Sequence, residues 1–308
     1  MQIYLPIAEL SVDVFLILGM GAAVGFISGM FGVGGGFLMT PLLIFVGIPP
    51  AVAVATQAAQ ITASSTSGAI SYWRQKALDE RLALVLSTSS IFGTILGVWT
   101  FNALRRAGQL DLTINVSYVA LMSFIGSFML FEALRAMLRR RRGRAILKRK
   151  AGNHSWYQKL PLRIKFYKSG ICVSAIPLIA LGSFIGFAGA ILGIGGGFIL
   201  IPALIYLFRV KTSMVVGTSI LQLLFSMTVT TILHSVTNNS VDIVLALLLI
   251  VGGVFGVQFG ARVGQKLRGE QFRLLLALLV LAVGLRFGLE LVLKPDEMFS
   301  IRIQDGTP

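Results

Sequence analysis

Apolar residues run through this chain in ten blocks, at about 12–31, 36–48, 51–73, 82–104 and 113–138, and then at about 171–192, 196–208, 213–234, 243–263 and 271–293. A polar, basic stretch divides the fifth block from the sixth. Eight of the blocks have the length of a helix that crosses a hydrocarbon core roughly 30 Å thick. The other two, 36–48 and 196–208, are 13 residues long, and at 1.5 Å per residue they reach only about 20 Å. Each of the short blocks follows or opens on a run of glycines and contains a proline, which predicts a broken helix whose freed backbone groups face protein or a cavity rather than lipid. The pattern predicts an all-α polytopic membrane protein with about eight full transmembrane helices plus two short segments.

The pattern also occurs twice. Residues 25–45 and 186–206 share 10 identities in 21 at an offset of 161, including Gly32, Gly34, Gly35, Gly36, Phe37 and Pro41 in the first copy and Gly193, Gly195, Gly196, Gly197, Phe198 and Pro202 in the second. Beyond them Thr56, Gln60 and Ser64 match Thr218, Gln222 and Ser226. Asp79 matches Asp242, Gly93 and Gly97 match Gly256 and Gly260, and Gly126 and Glu132 match Gly284 and Glu290. Duplicated halves with glycine-interrupted segments at matching positions are the sequence mark of secondary transporters, with substrate bound near the breaks. The expected organisation is a first transmembrane repeat over 1–138, a basic loop over 139–170, a second repeat over 171–294 and a tail over 295–308. Glycine rows at Gly21, Gly25 and Gly29 and at Gly252, Gly256, Gly260 and Gly264 predict close helix packing through small residues.

Charge orients this arrangement. The net charge is +15, yet 12 Lys or Arg and no acid lie between Arg139 and Lys168, which leaves +3 for the rest of the chain. A run of this kind reads as a cytoplasmic anchor facing anionic lipid rather than a nucleic-acid surface. If every block changes sides, 21 of the 27 Lys and Arg fall on the side of that loop. Five crossings per half then place the second repeat upside down relative to the first, and one site can open to each side in turn. If the short blocks dip in and return, each half has four crossings and the repeats are parallel; the charge distribution favours inversion. The expected location is the inner membrane, multi-pass, with 139–168 cytoplasmic. Tyr72 and Trp73 beside Arg74, and Trp156 and Tyr157 beside the basic run, fit an interfacial aromatic belt. No Lys or Arg precedes Arg74, so the first block lacks the basic region of a cleaved leader and is expected to remain. With 56% hydrophobic and 13% charged residues, the composition exceeds what a soluble domain of this length can bury.

Candidate chemistry is polar rather than ionic. Thr56, Gln60, Ser64, Ser67 and Ser71 recur on one narrow face of the third block, and Thr218, Gln222, Ser226, Thr230 and His234 follow at four-residue spacing in the second half. Single hydroxyls of this kind usually bond their own backbone or a neighbouring helix. Two equivalent stripes, each after a broken helix, suggest the wall of a hydrophilic path. A half-helix beginning at Gly34, Gly35 and Gly36, or at Gly195, Gly196 and Gly197, presents unpaired N–H groups and a partial positive charge, which suits a small oxyanion. Thr56, Gln57, Gln60, Ser64, Thr218, Ser219, Gln222 and Ser226 would replace its hydration shell. The competing reading is that the glycines only allow tight packing. A nucleotide loop is excluded, because the run has no following Gly-Lys-[Ser/Thr].

The remaining groups read as structural. Glu290 can pair with Arg286 and Glu132 with Arg135. Asp79 and Asp242 stand where helix caps are expected, and His234 is expected as a polar interfacial residue, with proton relay the alternative. His154 lies in the basic run. Cys172 is expected as filler in a helix. No metal cluster, cofactor motif or nucleophile–base set appears, so the chain is not read as an enzyme and no cofactor is expected.

The glycine signature Gly-Phe-x-x-x-x-x-Gly-[Val/Ile]-Gly-Gly-Gly-Phe-x-x-x-Pro, present in both halves, together with the Gly-x-x-x-Gly helix late in each half, resembles the sulfite exporter TauE/SafE family over about residues 12–293. The resemblance implies movement of a small sulfur-containing anion, such as sulfite or an organosulfonate, across the bacterial inner membrane. Two other functions compete with it: a membrane enzyme or assembly factor, and a scaffold or regulatory protein acting through the 139–168 loop. The expected partners are the small anionic substrate and anionic lipid at the basic loop, without nucleic acid. Oligomeric state is not legible.

Overall fold

The computed structural model describes residues 2–31, 34–141, 162–166, 168–208, 210, 212–264, 278, 280–286 and 288–289. Among the described residues the fold is carried by α1 (Val14–Phe31), α2 (Gly36–Phe45), α3 (Pro50–Arg74), α4 (Glu80–Arg106), α5 (Leu110–Arg141), α6 (Ala175–Leu192), α7 (Gly197–Pro202), α8 (Thr212–Asn238) and α9 (Ile243–Gly264). Residues 278, 280–286 and 288–289 are also helical. Among the described residues five helices are long and apolar enough to cross a membrane, within Glu80–Arg106, Leu110–Phe128, Ala175–Leu192, Met214–Asn238 and Ile243–Gly260. α3 has the length, 25 residues, but its Ser, Thr and Gln content keeps it out of that group. Large apolar side chains face outward, with Trp99 71% and Phe124 76% exposed, the reverse of a soluble surface. The chain is a mostly helical, multi-pass membrane protein.

The all-α expectation needs one correction. Two antiparallel hairpins precede α1 and α6: β1 (Gln2–Leu5) with β2 (Leu10–Asp13), and β3 (Arg163–Phe166) with β4 (Ile171–Ser174). Only one polar residue, Asp13 or Ser174, closes each second strand before the following helix, too short a break for block counting to register. Cys172 therefore lies in β4 opposite Lys165 rather than in a helix. Arg139–Arg141 continue α5, and Arg163–Phe166 belong to a hairpin. Residues 142–161 and 167 of the basic run, the 295–308 tail and Glu290 lie outside the described residues.

Helix packing follows the glycine rows. α1 lies along α9: a Cβ at Gly25 would fall on the carbonyl of Gly253, one at Gly256 on that of Ala22, and one at Gly260 on that of Phe26. α4 lies along α6 in the same way, with Gly93 against the Ser183 carbonyl and Gly186 against the Ser90 carbonyl. In lipid there is no hydrophobic drive between helices, so close backbone approach supplies the attraction. α3 and α8 pack together in the centre, each also touching the partner helix of the other half, α9 and α4 respectively.

Two aspartates fasten the ends of this arrangement. Asp79 caps α4, its Oδ1 accepting the Leu82 N–H at 3.3 Å, while Oδ2 accepts the N–H and hydroxyl of Ser169 in the β3–β4 turn at 2.9 and 2.6 Å. Asp242 caps α9 through Leu245 at 3.1 Å and accepts the Ile7 N–H of the β1–β2 turn at 3.0 Å. The backbone N–H of Asp79 donates to Thr218 Oγ1 at 3.2 Å, and that of Asp242 to Thr56 Oγ1 at 3.0 Å. Capping, as the positions suggested, is what both carboxylates do.

Candidate functional site

The two glycine turns meet. α2 starts at Gly36 with Gly35 as its N-cap, and its ladder begins with Leu38 and Met39 bonding the Gly35 carbonyl at 3.2 and 3.1 Å. α7 starts at Gly197, and Ile199 and Leu200 bond the Gly196 carbonyl at 3.0 and 2.9 Å. A helix begun in this way leaves its first N–H groups outside the ladder. Gly34, Gly193, Gly195 and Gly196 have φ of +79°, +67°, +76° and +77°, a region that residues with a Cβ rarely occupy. A Cβ at Gly36 would stand 2.6 Å from the Gly193 carbonyl and 2.8 Å from that of Ile194. Phe37 stacks on Phe198 with ring centroids 4.6 Å apart and planes 8° apart. At Gly36 and Gly193 the absent side chains thus serve close packing between the turns. Beyond α7, Pro202 lacks an N–H to extend the ladder, and the chain widens into a π-helical turn over Ala203–Leu207.

The polar stripes divide into engaged and unengaged groups. Thr56 and Thr218 accept from the aspartate N–H groups, and Thr218 also donates to the Met214 carbonyl at 2.7 Å. Ser64 donates to the Ile61 carbonyl at 3.0 Å and is only half-buried. Ser226 lies 3.1 Å from Thr94 Oγ1, and Thr230 donates to the Ser226 carbonyl at 2.8 Å. Ser67 is exposed, so the expected continuous polar face of α3 breaks beyond Gln60 as the helix leaves the centre of the bundle.

What remains is a compact set of amides and a hydroxyl. Gln57 donates from Nε2 to Gln60 Oε1 at 2.8 Å. Gln60 lies against Gly253, where a Cβ would sit 2.6 Å from its Nε2. Gln57 Oε1, Ser219 Oγ and both polar atoms of Gln222 are buried without a hydrogen-bond partner among the described residues. Ile61 and Leu223, the neighbours of Gln60 and Gln222 in sequence, both lie within 3.5 Å of where a Gly195 Cβ would be, so α3 and α8 pass the second glycine turn at the level of these amides. Buried polar groups are nearly always paired, which makes these four atoms on α3 and α8 candidates for contact with a solute; Thr40 Oγ1, Ser87 Oγ, Asn102 Oδ1 and Asn115 Oδ1 are also buried without a partner among the described residues.

Sequence reading missed Thr94, which touches both Ser226 and the Gly186 carbonyl, the latter at 3.4 Å. The signal was present as Ser87, Ser90 and Thr94, spaced three and four apart on α4. His234 is fully buried rather than interfacial: its Nε2 lies 3.0 Å from the Ala190 carbonyl, its Nδ1 2.8 Å from Asn238 Nδ2, and Phe101 meets it edge-on at 4.6 Å. α8 continues a full turn past it, which covers the ring. Arg286 stacks over the Phe45 ring at 4.3 Å. No cluster of three metal-ligating side chains occurs among the described residues.

The family model described as sulfite exporter TauE/SafE matches residues 17–287. The chain belongs to the TauE/SafE family. It is 30% identical over 280 residues, 90% of this chain and 99% of the relative, to the probable membrane transporter protein YjnA of Bacillus subtilis. A probable membrane transporter protein of Xylella fastidiosa is 28% identical over 272 residues, covering 87% of this chain and 92% of that one. The sulfite exporter TauE/SafE family protein 6 of Arabidopsis thaliana is 34% identical over 79 residues, 26% of this chain and 18% of the plant protein. No solved structure matches this TauE/SafE chain.

Proposed function

We propose that the protein is a secondary carrier that exports a small sulfur-containing oxyanion, sulfite or an organosulfonate, across the bacterial inner membrane. The observation that carries this reading is the set of unpaired buried groups on Gln57, Ser219 and Gln222 beside two turns whose leading N–H groups lie outside their helices. Amide and hydroxyl donors solvate an oxyanion without the fixed opposite charge that would hold it too tightly to release. In an inside-negative membrane an outward anion moves downhill by about 2.3 kcal/mol per charge per 100 mV, so export needs no further coupling. Inverted repeats, the arrangement the charge distribution favours, would serve this mechanism. The aspartate–threonine bonds exchange halves, Asp79 to Thr218 and Asp242 to Thr56, as do the α1–α9 and α4–α6 glycine seams. With the basic loop cytoplasmic, two like halves of opposite orientation let the shared centre open to either side.

The test is uptake into proteoliposomes over sulfite, sulfoacetate, taurine, thiosulfate, sulfate and an amino acid, with and without a pH gradient. Saturable flux of one sulfur anion, with mutual competition among its analogues and none from the amino acid, is the expected result. Absence of flux for every sulfur anion under both conditions overturns the reading.

A further inference from the structure

A cavity of about 720 Å³ opens where α3 ends and α4 begins, lined by Trp73, Arg74, Lys76, Leu78, Glu80 and Lys168. It lies apart from the buried amides and holds three cations against one carboxylate. That carboxylate is already committed: Glu80 Oε1 and Lys168 Nζ are 2.9 Å apart. Arg74 and Lys76 make no ion pair among the described residues.

The backbone at Lys76 adds an independent observation. The N–H of Lys76 bonds the Trp73 carbonyl at 2.9 Å and that of Ala77 bonds the Tyr72 carbonyl at 3.1 Å, the paired bonds of a helix C-terminus closed by a left-handed residue. α2 and α4 end through the same pair of bonds, with Gly47 and Gly108 in the left-handed position. At α3 that position holds a lysine at φ +54°. A glycine would close this turn with less strain, as Gly47 and Gly108 do; Glu9, Leu162 and Asn239 share the left-handed conformation elsewhere. Arg74 alone can satisfy the negative end of the helix.

We propose that this cavity seats the phosphodiester headgroup of an anionic phospholipid, held by Arg74 and Lys76 with Lys168 at the rim. Lipid is favoured over a free anion by what precedes the cations: Ile70 is 47% and Trp73 68% exposed on the last turns of α3. An exposed indole set beside positive charge, with Ile70 one turn before it and the exposed hydroxyls of Thr66 and Ser67 before that, is the pairing met at the headgroup level of a membrane.

The test uses the full chain in a neutral detergent with Trp99→Phe and Trp156→Phe, which leaves Trp73 as the reporter. A short-chain phosphatidylglycerol should shift Trp73 emission saturably, whereas phosphatidylcholine and inorganic phosphate should not. Arg74→Gln and Lys76→Gly should each weaken the apparent affinity about five-fold, the factor for one interfacial cation, and Lys76→Gly should unfold no earlier than its parent. Equal titration by phosphatidylcholine would reduce the site to apolar contact, and saturation by phosphate alone would make it a free-anion site. Unchanged titration of both variants, or early unfolding of Lys76→Gly, would remove the cations from the role given them; each of these outcomes overturns the proposal.

Discussion

Gln222 carries two buried polar atoms with no partner among the described residues, and leaving such a group unsatisfied costs about 1–3 kcal/mol. A leucine fills similar volume without that cost. Gln222→Leu should therefore raise stability by about 1 kcal/mol while lowering flux of the transported anion at least ten-fold. Thermal unfolding in detergent and uptake by the same preparation check the two arms. A packing role for Gln222 would instead lower stability and leave uptake in proportion to folded protein. At this scale the sequence was legible where spacing alone decides, as in the capping by Asp79 and Asp242. It was not legible where tertiary contacts decide. His234 is covered by Phe101 from another helix, and the engagement of Thr56 by a backbone N–H 186 residues away has no local signature.

The helices themselves could be read from the chain because apolar length, glycine rows and prolines act within one element. The expected starts and stops fall within a few residues of the observed ones for α1 to α5, α8 and α9. The hairpins could not, since only Asp13 and Ser174, at the ends of β2 and β4, mark the step into their helices, and only the offset of 161 between Gln2–Leu5 and Arg163–Phe166 hinted at a matched pair. What the glycine rows do energetically can be separated from helix propensity. Gly19, also in α1, has nothing within 4 Å of where its Cβ would be, whereas Gly186 and Gly256 would drive a methyl group into the Ser90 and Ala22 carbonyls. Gly19→Ala should be neutral or stabilising by about 0.5–1 kcal/mol. Gly186→Ala and Gly256→Ala should each destabilise by about 1–3 kcal/mol as the helices are pushed apart. Unfolding midpoints of the three variants in one detergent test this, and similar losses at the two seams are expected because each joins the first helix of one half to the fourth helix of the other.

Across the whole molecule the two short helices are the only elements that contact each other through their broken ends among the described residues, and the Phe37–Phe198 stack lies across that contact. If the halves rock about a shared centre, this is where they must part: a fixed stack would keep the turns together and the amides beside them enclosed. Closed packing of this type switches between discrete arrangements rather than stretching. The pair is thus expected to tolerate separation but not tethering. Phe37→Cys with Phe198→Cys, in a chain carrying Cys172→Ser, can be joined by a short reducible bifunctional thiol reagent. Joined carrier should lose at least ten-fold in anion flux and regain it on reduction, while either single cysteine treated with the same reagent keeps most of its activity. Full flux through the joined form would show that substrate passes without the turns separating, and the alternating centre would then have to lie elsewhere along the α3–α8 contact.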